Sequence, residues 1–303
     1  MMRPMSSSGD SDGGRAGGQV AVRDGVRIHF ARSGPRGGTP LVLLHGLSAN
    51  AQSFAGLLRA GLDARHDVIR VDLRGRGQSD QPEAEGTYSM PAHGQDVIAV
   101  MDAVGLADAV IVGHSFGGLV TMWLAANHPA RVRRQVLIDI AGPAIENPDI
   151  VRLLQPSLSR LDREYPSLDG YLQWMSSSPI FAGAWCDELA AFYRADVEAL
   201  PGGAVRPRTR LRTIEQCLTL GRREDWRGLI TRATAPALVL HASGAFGPPG
   251  SPPLILQAQA DDLVAALPDA RLVEVPGNHM TMTFGDNARA VVAAIDDFVG
   301  AGV

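Results

Sequence analysis

Ser115 is the first candidate for chemistry, because it lies in the pattern G-x-S-x-G. The segment GHSFG, residues 113–117, follows an apolar run at 109–112 and begins an apolar helical stretch at 116–127. A sharp turn between strand and helix would hold the serine hydroxyl clear of a sheet, and the flanking glycines would avoid Cβ clashes. The start of the helix would offer N–H groups to a developing negative charge. We therefore interpret Ser115 as a nucleophile.

His279 is the histidine best placed to act as the base for such a nucleophile. It ends the triplet GNH, residues 277–279, a few residues after an apolar run at 271–275. From that position an imidazole could swing over the edge of a sheet, take the proton of Ser115 and return it to a leaving group. We interpret His279 as the general base and acid.

Two backbone N–H groups could hold the negative oxygen that forms when a serine attacks a carbonyl. Leu47 follows the dipeptide HG after an apolar run at 41–44, and a turn there can donate its N–H. Phe116 directly follows the candidate nucleophile and can donate the second N–H. The sequence thus predicts an oxyanion hole made by the main chain at Leu47 and Phe116.

The elements that must position these residues alternate between strand and helix. Short apolar runs bounded by turn residues are typical of strands buried on both faces, and helical spacing of apolar residues fills much of the sequence between them. The runs lie at 26–30, 41–44, 68–72, 109–112, 136–140, 237–241 and 271–275, and the clearest helices at 89–104, 116–127 and 286–299. This alternation predicts a mostly parallel sheet with helices on both faces.

The alternation stops between residues 143 and 235. That segment has helical stretches, prolines and aromatic residues but no strand-like run, so we predict a helical lid inserted at the carboxyl edge of the sheet. The core would comprise residues 20–142 and 236–303. Residues 1–19 are rich in Ser, Gly and Asp, and we predict a disordered tail there.

Large apolar side chains near the nucleophile, near the base and within the lid are candidates for a substrate pocket. We predict that Trp123, Trp174, Trp185 and Met280 line it. Ordinary packing in the core of the lid is the alternative for each of them.

Composition limits the classes of function. The 303 residues are 45% hydrophobic and 20% charged with a net charge of −4, which is typical of a globular chain and excludes a mainly disordered one. Without a block of basic residues, a nucleic-acid partner is not expected. Two cysteines cannot form a disulfide framework, and no apolar run approaches the about 18 residues that span a bilayer. No cluster has the spacing of metal ligands. We expect a cytoplasmic protein that uses neither membrane nor metal.

Together these segments resemble the α/β-hydrolases, in particular bacterial serine esterases and lactonases with a helical lid. The resemblance rests on HG at 45–46, DLRGRGQS at 72–79, GHSFG at 113–117 and GNH at 277–279, and it covers roughly residues 20–299. It implies an α/β fold with a mostly parallel eight-stranded sheet, helices on both faces and a helical lid insertion. It also implies a Ser-His-acid triad that needs no cofactor. Dehalogenases and epoxide hydrolases of the family carry Asp at the nucleophile position, so the serine argues against both activities.

The acid of the triad departs from the family pattern. Relatives usually carry it just after the seventh strand, but here no carboxylate occurs from residue 235 until Asp261. Asp139, at the end of the sixth strand, is the best substitute, since some family members place their acid there and the order serine, acid, histidine is kept. Asp261 or Asp262 is a second possibility, and a triad without a working carboxylate is a third.

These residues favour hydrolysis of a carboxylic ester through an acyl-enzyme, with a small-molecule ester or lactone as the substrate. Thioesters or a C–C bond beside a carbonyl would suit the same residues. Lactone hydrolysis is the nearest alternative, since some relatives that act on lactones place the acid after the sixth strand. A ligand-binding pseudo-hydrolase is the alternative from another class, and the missing acid after the seventh strand motivates it.

Overall fold

The central feature is a large sheet, seen in a computed structural model that describes residues 16–21, 25–141, 150–181 and 183–300. The strands in those residues are β1 (Ala16–Ala21), β2 (Arg27–Ser33), β3 (Thr39–Leu44), β4 (His66–Val71), β5 (Ala109–His114), β6 (Val132–Ile138), β7 (Val197–Ala199), β8 (Val205–Pro207), β9 (Ala237–Ala242) and β10 (Ala270–Val275). Eight of them form one sheet in the order β1-β2-β4-β3-β5-β6-β9-β10. β2 pairs antiparallel with β1 and with β4, and the other neighbours are parallel. The mostly parallel eight-stranded sheet expected from the sequence is present.

Helices connect the parallel strands, as the alternating pattern predicts. They are α1 (Ala55–Arg59), α2 (Leu62–Arg65), α3 (Met90–Ala103), α4 (Phe116–Asn127), α5 (Ile150–Leu158), α6 (Leu168–Ser176), α7 (Asp187–Asp196), α8 (Leu211–Gly221), α9 (Trp226–Arg232), α10 (Gln257–Ala266) and α11 (Asn287–Gly300). The predicted helices at 89–104, 116–127 and 286–299 correspond to α3, α4 and α11. Ser89 begins α3 as its N-cap, where its side chain accepts a hydrogen bond from the Ala92 N–H.

The sheet is covered by apolar packing on both faces. Along β3, Val42 and Leu44 belong to a core cluster that includes α3 and α4, whereas Leu41 and Leu43 belong to a second cluster that includes α11. Side chains alternate between faces along a strand, so an unbroken apolar run is what a strand between two helical layers requires.

The segment between β6 and β9, called the lid below, holds α5 to α9, and it differs from the prediction in one respect. β7 and β8 form a small antiparallel hairpin, although no strand was predicted there. Each has only three residues, too few to give a periodic pattern. Residues 142–149 and 182 lie outside the described residues.

The predicted end of the lid at residue 235 stays a prediction. α9 packs against α4, and its residues Trp226 and Leu229 are buried in the core cluster on that face of the sheet. Earlier residues of the same segment, among them Leu158, Ile214 and Leu218, belong to that cluster as well, so the cluster does not mark where the lid ends.

The predicted tail was too long. Residues 1–15 and 22–24 lie outside the described residues, but residues 16–19 belong to β1, which pairs with β2 from Ala16 opposite Arg32 to Ala21 opposite Arg27. An edge strand held by main-chain hydrogen bonds needs no apolar run, which is why composition misplaced it. None of the described helices has the length and apolar character needed to span a membrane.

Candidate active site

Ser115 stands at the turn between β5 and α4 in a backbone conformation that few non-glycine residues adopt. Its φ is 53° and its ψ is −118°. A Cβ at Gly113 would lie 2.3 Å from the Gly117 carbonyl oxygen, and a Cβ at Gly117 would lie 2.0 Å from the Leu44 carbonyl oxygen. Both glycines of the pattern are therefore required by close packing around the turn. The strained turn holds the half-buried Ser115 side chain at the carboxyl edge of the sheet.

The structure brings His279 and Asp139 into direct contact at the same edge. His279 Nδ1 lies 2.7 Å from Asp139 Oδ2, and both side chains are buried. The other carboxylate oxygen accepts a hydrogen bond from the Ala242 N–H at 3.0 Å. A carboxylate that accepts from Nδ1–H leaves Nε2 as the basic nitrogen of the neutral ring. Asp139 follows the last residue of β6, and Ala242 ends β9, so two neighbouring strands fix the acid.

The other acids considered from the sequence lie elsewhere. Asp261 and Asp262 are exposed on α10, and Asp261 accepts a hydrogen bond from the Gln257 side chain at 2.9 Å. Of the three carboxylates, Asp139 is the one that contacts His279.

His114 supports the histidine loop from within the nucleophile turn. Its Nε2 lies 2.9 Å from the His279 carbonyl oxygen, so it donates there, and the two rings are 4.7 Å apart. Burial, with a smaller contribution from His279, lowers the pKa of His114 to about 3. His114 is therefore neutral at neutral pH and places no positive charge beside His279.

Asn278 is a residue whose role the sequence did not reveal. Its Nδ2 donates to the Ile180 carbonyl oxygen at 2.8 Å and to the Ala245 carbonyl oxygen at 3.0 Å, and its Oδ1 accepts from the Thr281 N–H at 2.9 Å. One buried amide thus ties the His279 loop to the lid and to the loop after β9. The only sequence signal was its place in the triplet GNH, where an Asx turn is favoured.

The turn that carries Leu47 is held through its carbonyl groups. His45 Nε2 accepts the Leu73 N–H at 3.0 Å, so Nδ1 carries the proton and donates to the Gly46 carbonyl oxygen at 2.8 Å. Burial lowers the pKa of His45 to about 4, which keeps the ring neutral for this arrangement. Since the N–H of a trans peptide points opposite to its carbonyl, this bond directs the Leu47 N–H away from His45.

Two buried arginines bind the next two carbonyls of that turn, and neither was predicted. Arg76 Nε donates to the Leu47 carbonyl oxygen at 2.9 Å. Arg160, two residues after the end of α5, donates from Nη2 to the Ser48 carbonyl oxygen and pairs through Nε with Asp196 at 2.8 Å. The lid is thereby connected to the turn beside the nucleophile.

Two cavities meet at Ser115, and Leu47 and His279 line both. The lid-side cavity has a mixed lining that includes Ser48, Ser53, Ser157, Arg160, Phe192 and Tyr193. The apolar cavity lies beside Phe116 and is lined by Leu119, Ile140, Leu154, Leu218, Leu254 and Ile255. A group attached to Ser115 could therefore extend in two directions of different polarity.

Of the four residues predicted to line the pocket, Met280 lies on the lid-side cavity. Trp123 is instead buried in the core cluster under the sheet. Trp174 packs in the aromatic cluster of the lid, and Trp185 stacks on Tyr193 with ring centres 5.8 Å apart. Trp123, Trp174 and Trp185 are not among the residues that line these two cavities, and packing, the alternative considered for each, accounts for their contacts. In the part of the chain that the structure describes, no group of three His, Cys, Asp or Glu side chains could hold a metal ion.

Comparisons with known proteins agree with this architecture. Epoxide hydrolase 4 from Mus musculus is 29% identical over 134 residues, which are 44% of this chain and 37% of that protein. Non-heme chloroperoxidase from Streptomyces lividans is 35% identical over 133 residues, 44% of this chain and 48% of that protein. The alignments thus span half or less of these relatives.

Likeness in structure extends over nearly the whole chain. The crystal structure of E-2-(acetamidomethylene)succinate hydrolase has a TM-score of 0.78, and the match covers 94% of this chain and 99% of that one at 21% identity. That likeness concerns the fold alone. Residues 39–286 match the family model described as the alpha/beta hydrolase fold. The chain belongs to the alpha/beta hydrolase family.

Proposed function

We propose that this protein is a serine hydrolase that cleaves carboxylic esters through a covalent acyl-enzyme. The observation that carries the proposal is the 2.7 Å contact between His279 Nδ1 and Asp139 Oδ2 beside the strained Ser115 turn. Ser115, His279 and Asp139 also line one cavity, and a serine, a histidine and a carboxylate grouped in this way can generate a nucleophile at neutral pH. Dehalogenases and epoxide hydrolases of the family carry aspartate at the nucleophile position, where this chain has Ser115. We therefore do not propose epoxide hydrolysis, the activity named for the mouse relative.

In the acylation step, Ser115 Oγ attacks the ester carbonyl while His279 Nε2 takes its proton. Asp139 accepts from Nδ1–H and stabilises the imidazolium that forms. The negative oxygen of the tetrahedral intermediate accepts hydrogen bonds from the Leu47 and Phe116 N–H groups. The intermediate collapses when the C–O bond to the alcohol breaks, and His279 gives its proton to that alcohol.

Deacylation repeats the sequence with water as the nucleophile. His279 takes a proton from water as it attacks the acyl carbonyl, the same N–H groups hold the oxyanion, and the proton returns to Ser115 Oγ as the acid leaves. Each proton that His279 accepts in one half of the cycle is released before the next begins, so the mechanism needs no cofactor.

The experiment is hydrolysis of p-nitrophenyl esters with short to long acyl chains, together with a few lactones and a thioester. We expect turnover by the wild type that is abolished in Ser115→Ala. Ser33→Ala is the matched control, since Ser33 is a buried serine of β2 whose Oγ has no hydrogen-bond partner among the described residues. A fluorophosphonate should label the wild type once, at Ser115.

The results separate the alternatives. Turnover of lactones well above that of open esters would assign lactone hydrolysis to the same residues. Absence of turnover on every substrate, together with failure of the fluorophosphonate to react, would contradict the proposal and favour a ligand-binding protein.

A further inference from the structure

Arg76 is a fully buried side chain whose guanidinium faces the turn that carries Leu47. It donates from Nε to the Leu47 carbonyl oxygen at 2.9 Å and from Nη1 to the Arg74 carbonyl oxygen at 2.8 Å. Nη2 lies 3.1 Å from the Cys217 sulfur on α8. All three partners are uncharged or only weakly polar groups, so the hydrogen bonds fix the guanidinium without neutralising it.

The positive charge of Arg76 has no acidic partner in the described part of the chain. No carboxylate oxygen among those residues lies within 4 Å of its nitrogens, whereas the other buried arginines near the site are paired, Arg74 with Asp96 and Arg160 with Asp196. An arginine keeps its charge in a protein interior, and a buried unpaired charge costs folding free energy. Such a charge calls for an explanation other than stability.

The location of the Arg76 guanidinium supplies an explanation for this buried charge. It binds the carbonyl of Leu47, and its central carbon lies 5.5 Å from the centre of the Phe116 ring. Leu47 and Phe116 are the two residues whose N–H groups would hold the oxyanion. One buried cation therefore lies against both residues that would form the oxyanion hole.

We propose that Arg76 is a positioning residue for the oxyanion hole, which fixes the Leu47 turn and adds a buried positive charge next to both donor residues. This inference rests on the proposed serine hydrolase. A neutral ester gains little from such a charge, whereas the anionic tetrahedral intermediate gains more, because few water molecules screen the interaction. The effect should therefore appear in kcat and leave KM nearly unchanged.

The test compares substitutions that keep the charge with substitutions that remove it. Arg76→Gln and Arg76→Met remove the charge, and Met is included because an apolar side chain of similar length is often tolerated at a buried ionic position. Arg76→Lys keeps the charge at the same position. We expect kcat to fall roughly 10- to 30-fold in Arg76→Gln and Arg76→Met, and to stay within about threefold of the wild type in Arg76→Lys. The expected fall is smaller than the ~10²–10³ that is typical when an oxyanion donor itself is lost.

A second measurement reports on the oxyanion directly. A trifluoromethyl ketone forms an anionic hemiketal with the nucleophile. Its affinity for Arg76→Gln and Arg76→Met should therefore weaken by the same factor as kcat, while KM for the ester changes by less than about threefold. Arg74→Lys, in which a paired buried arginine of the same segment changes, is the control and should leave the ratio of ketone affinity to KM unchanged.

Several outcomes would overturn the inference. Equal losses of kcat in Arg76→Lys, Arg76→Gln and Arg76→Met would show that the charge does not matter. A change in KM alone, or no change in kcat or KM, would show that the charge does not stabilise the oxyanion. These outcomes leave the proposed function intact as long as the wild type hydrolyses esters and is labelled at Ser115. A wild type that does neither would overturn the proposed function and this inference together.

Discussion

Replacement of Asp139 by Asn removes a charge and little else, and the structure shows why the effect on turnover should be large. The carboxylate accepts two hydrogen bonds, one from His279 Nδ1 at 2.7 Å and one from the Ala242 N–H at 3.0 Å. An amide has only one oxygen, so it can accept only one of them. Asn also tolerates the left-handed backbone at this position, where φ is 45°, so the fold should be kept.

The two orientations of the new amide differ in their consequences. With its oxygen toward His279, its NH2 group faces the buried Ala242 N–H, and that unsatisfied donor costs about 1–3 kcal/mol. With its oxygen toward Ala242, its NH2 donates to Nδ1, so the imidazole proton moves to Nε2 and the ring cannot accept the Ser115 proton. The second orientation satisfies more hydrogen bonds and should dominate.

Loss of the charge adds to the loss of the correct tautomer. A carboxylate and an imidazolium about 4 Å apart attract by about 4 kcal/mol at an effective dielectric of 20, and the amide forfeits most of this when the ring becomes charged. Together these effects fit a fall in kcat of ~10³–10⁴, or about 4–5.5 kcal/mol in activation free energy.

The assay is kcat on the best p-nitrophenyl ester, with the melting temperature as the check on folding. Asp261→Asn is the matched control, since it makes the same chemical change at an exposed carboxylate on α10 and should leave kcat unchanged. A fall of less than tenfold in Asp139→Asn would refute the role of Asp139, and a fall in Asp261→Asn instead would transfer the role to α10.

Two further predictions concern stability. Burial lowers the pKa of His45 to about 4 and that of His114 to about 3, so below pH about 6.5 the unfolded chain binds protons that the folded chain excludes. The free energy of unfolding should therefore fall by about 1 kcal/mol per pH unit for each ring, down to pH ~4. An unfolding free energy that does not change with pH in denaturant titrations would contradict this prediction. Gly117→Ala places a Cβ 2.0 Å from the Leu44 carbonyl oxygen and should lower the free energy of unfolding by at least about 2 kcal/mol. Gly37→Ala is the control, because a Cβ there has no atom of the described residues within 4 Å, and it should change the free energy of unfolding by less than about 0.5 kcal/mol. Equal melting temperatures for the two variants would show that the turn at Gly117 adapts to the added Cβ.

Much of the sheet could be predicted because burial on both faces leaves a direct trace in the sequence. β3 and β5 are apolar runs, and their side chains pack into clusters on opposite faces. β1 left no such trace, because its sequence AGGQVA is held at the sheet edge by backbone pairing with β2. Local patterns report burial, so elements held mainly by main-chain bonds escape them.

The residues of the candidate site also fall into two groups, those that local sequence patterns reveal and those that they do not. Ser115 and His279 stand in short motifs with special backbone needs, and these are visible in the order of residue types. Asn278 and Arg160 act through contacts to residues 98 and 112 positions away, the Ile180 carbonyl and the Ser48 side chain. No single-sequence pattern encodes contacts at that separation.

The position that we propose for the acid is compatible with the topology of the sheet. β6 and β9 are parallel neighbours, so their carboxyl ends meet at one edge, and a carboxylate after either strand can reach His279. Asp139 binds the last N–H of β9 with one oxygen and His279 with the other, so it connects the two candidate positions. The loop after β9 then has no acid to supply, and its residues Leu254 and Ile255 form a wall of the apolar cavity beside Ser115. With Asp139 in the proposed role of the acid, the loop after β9 is available to shape the pocket.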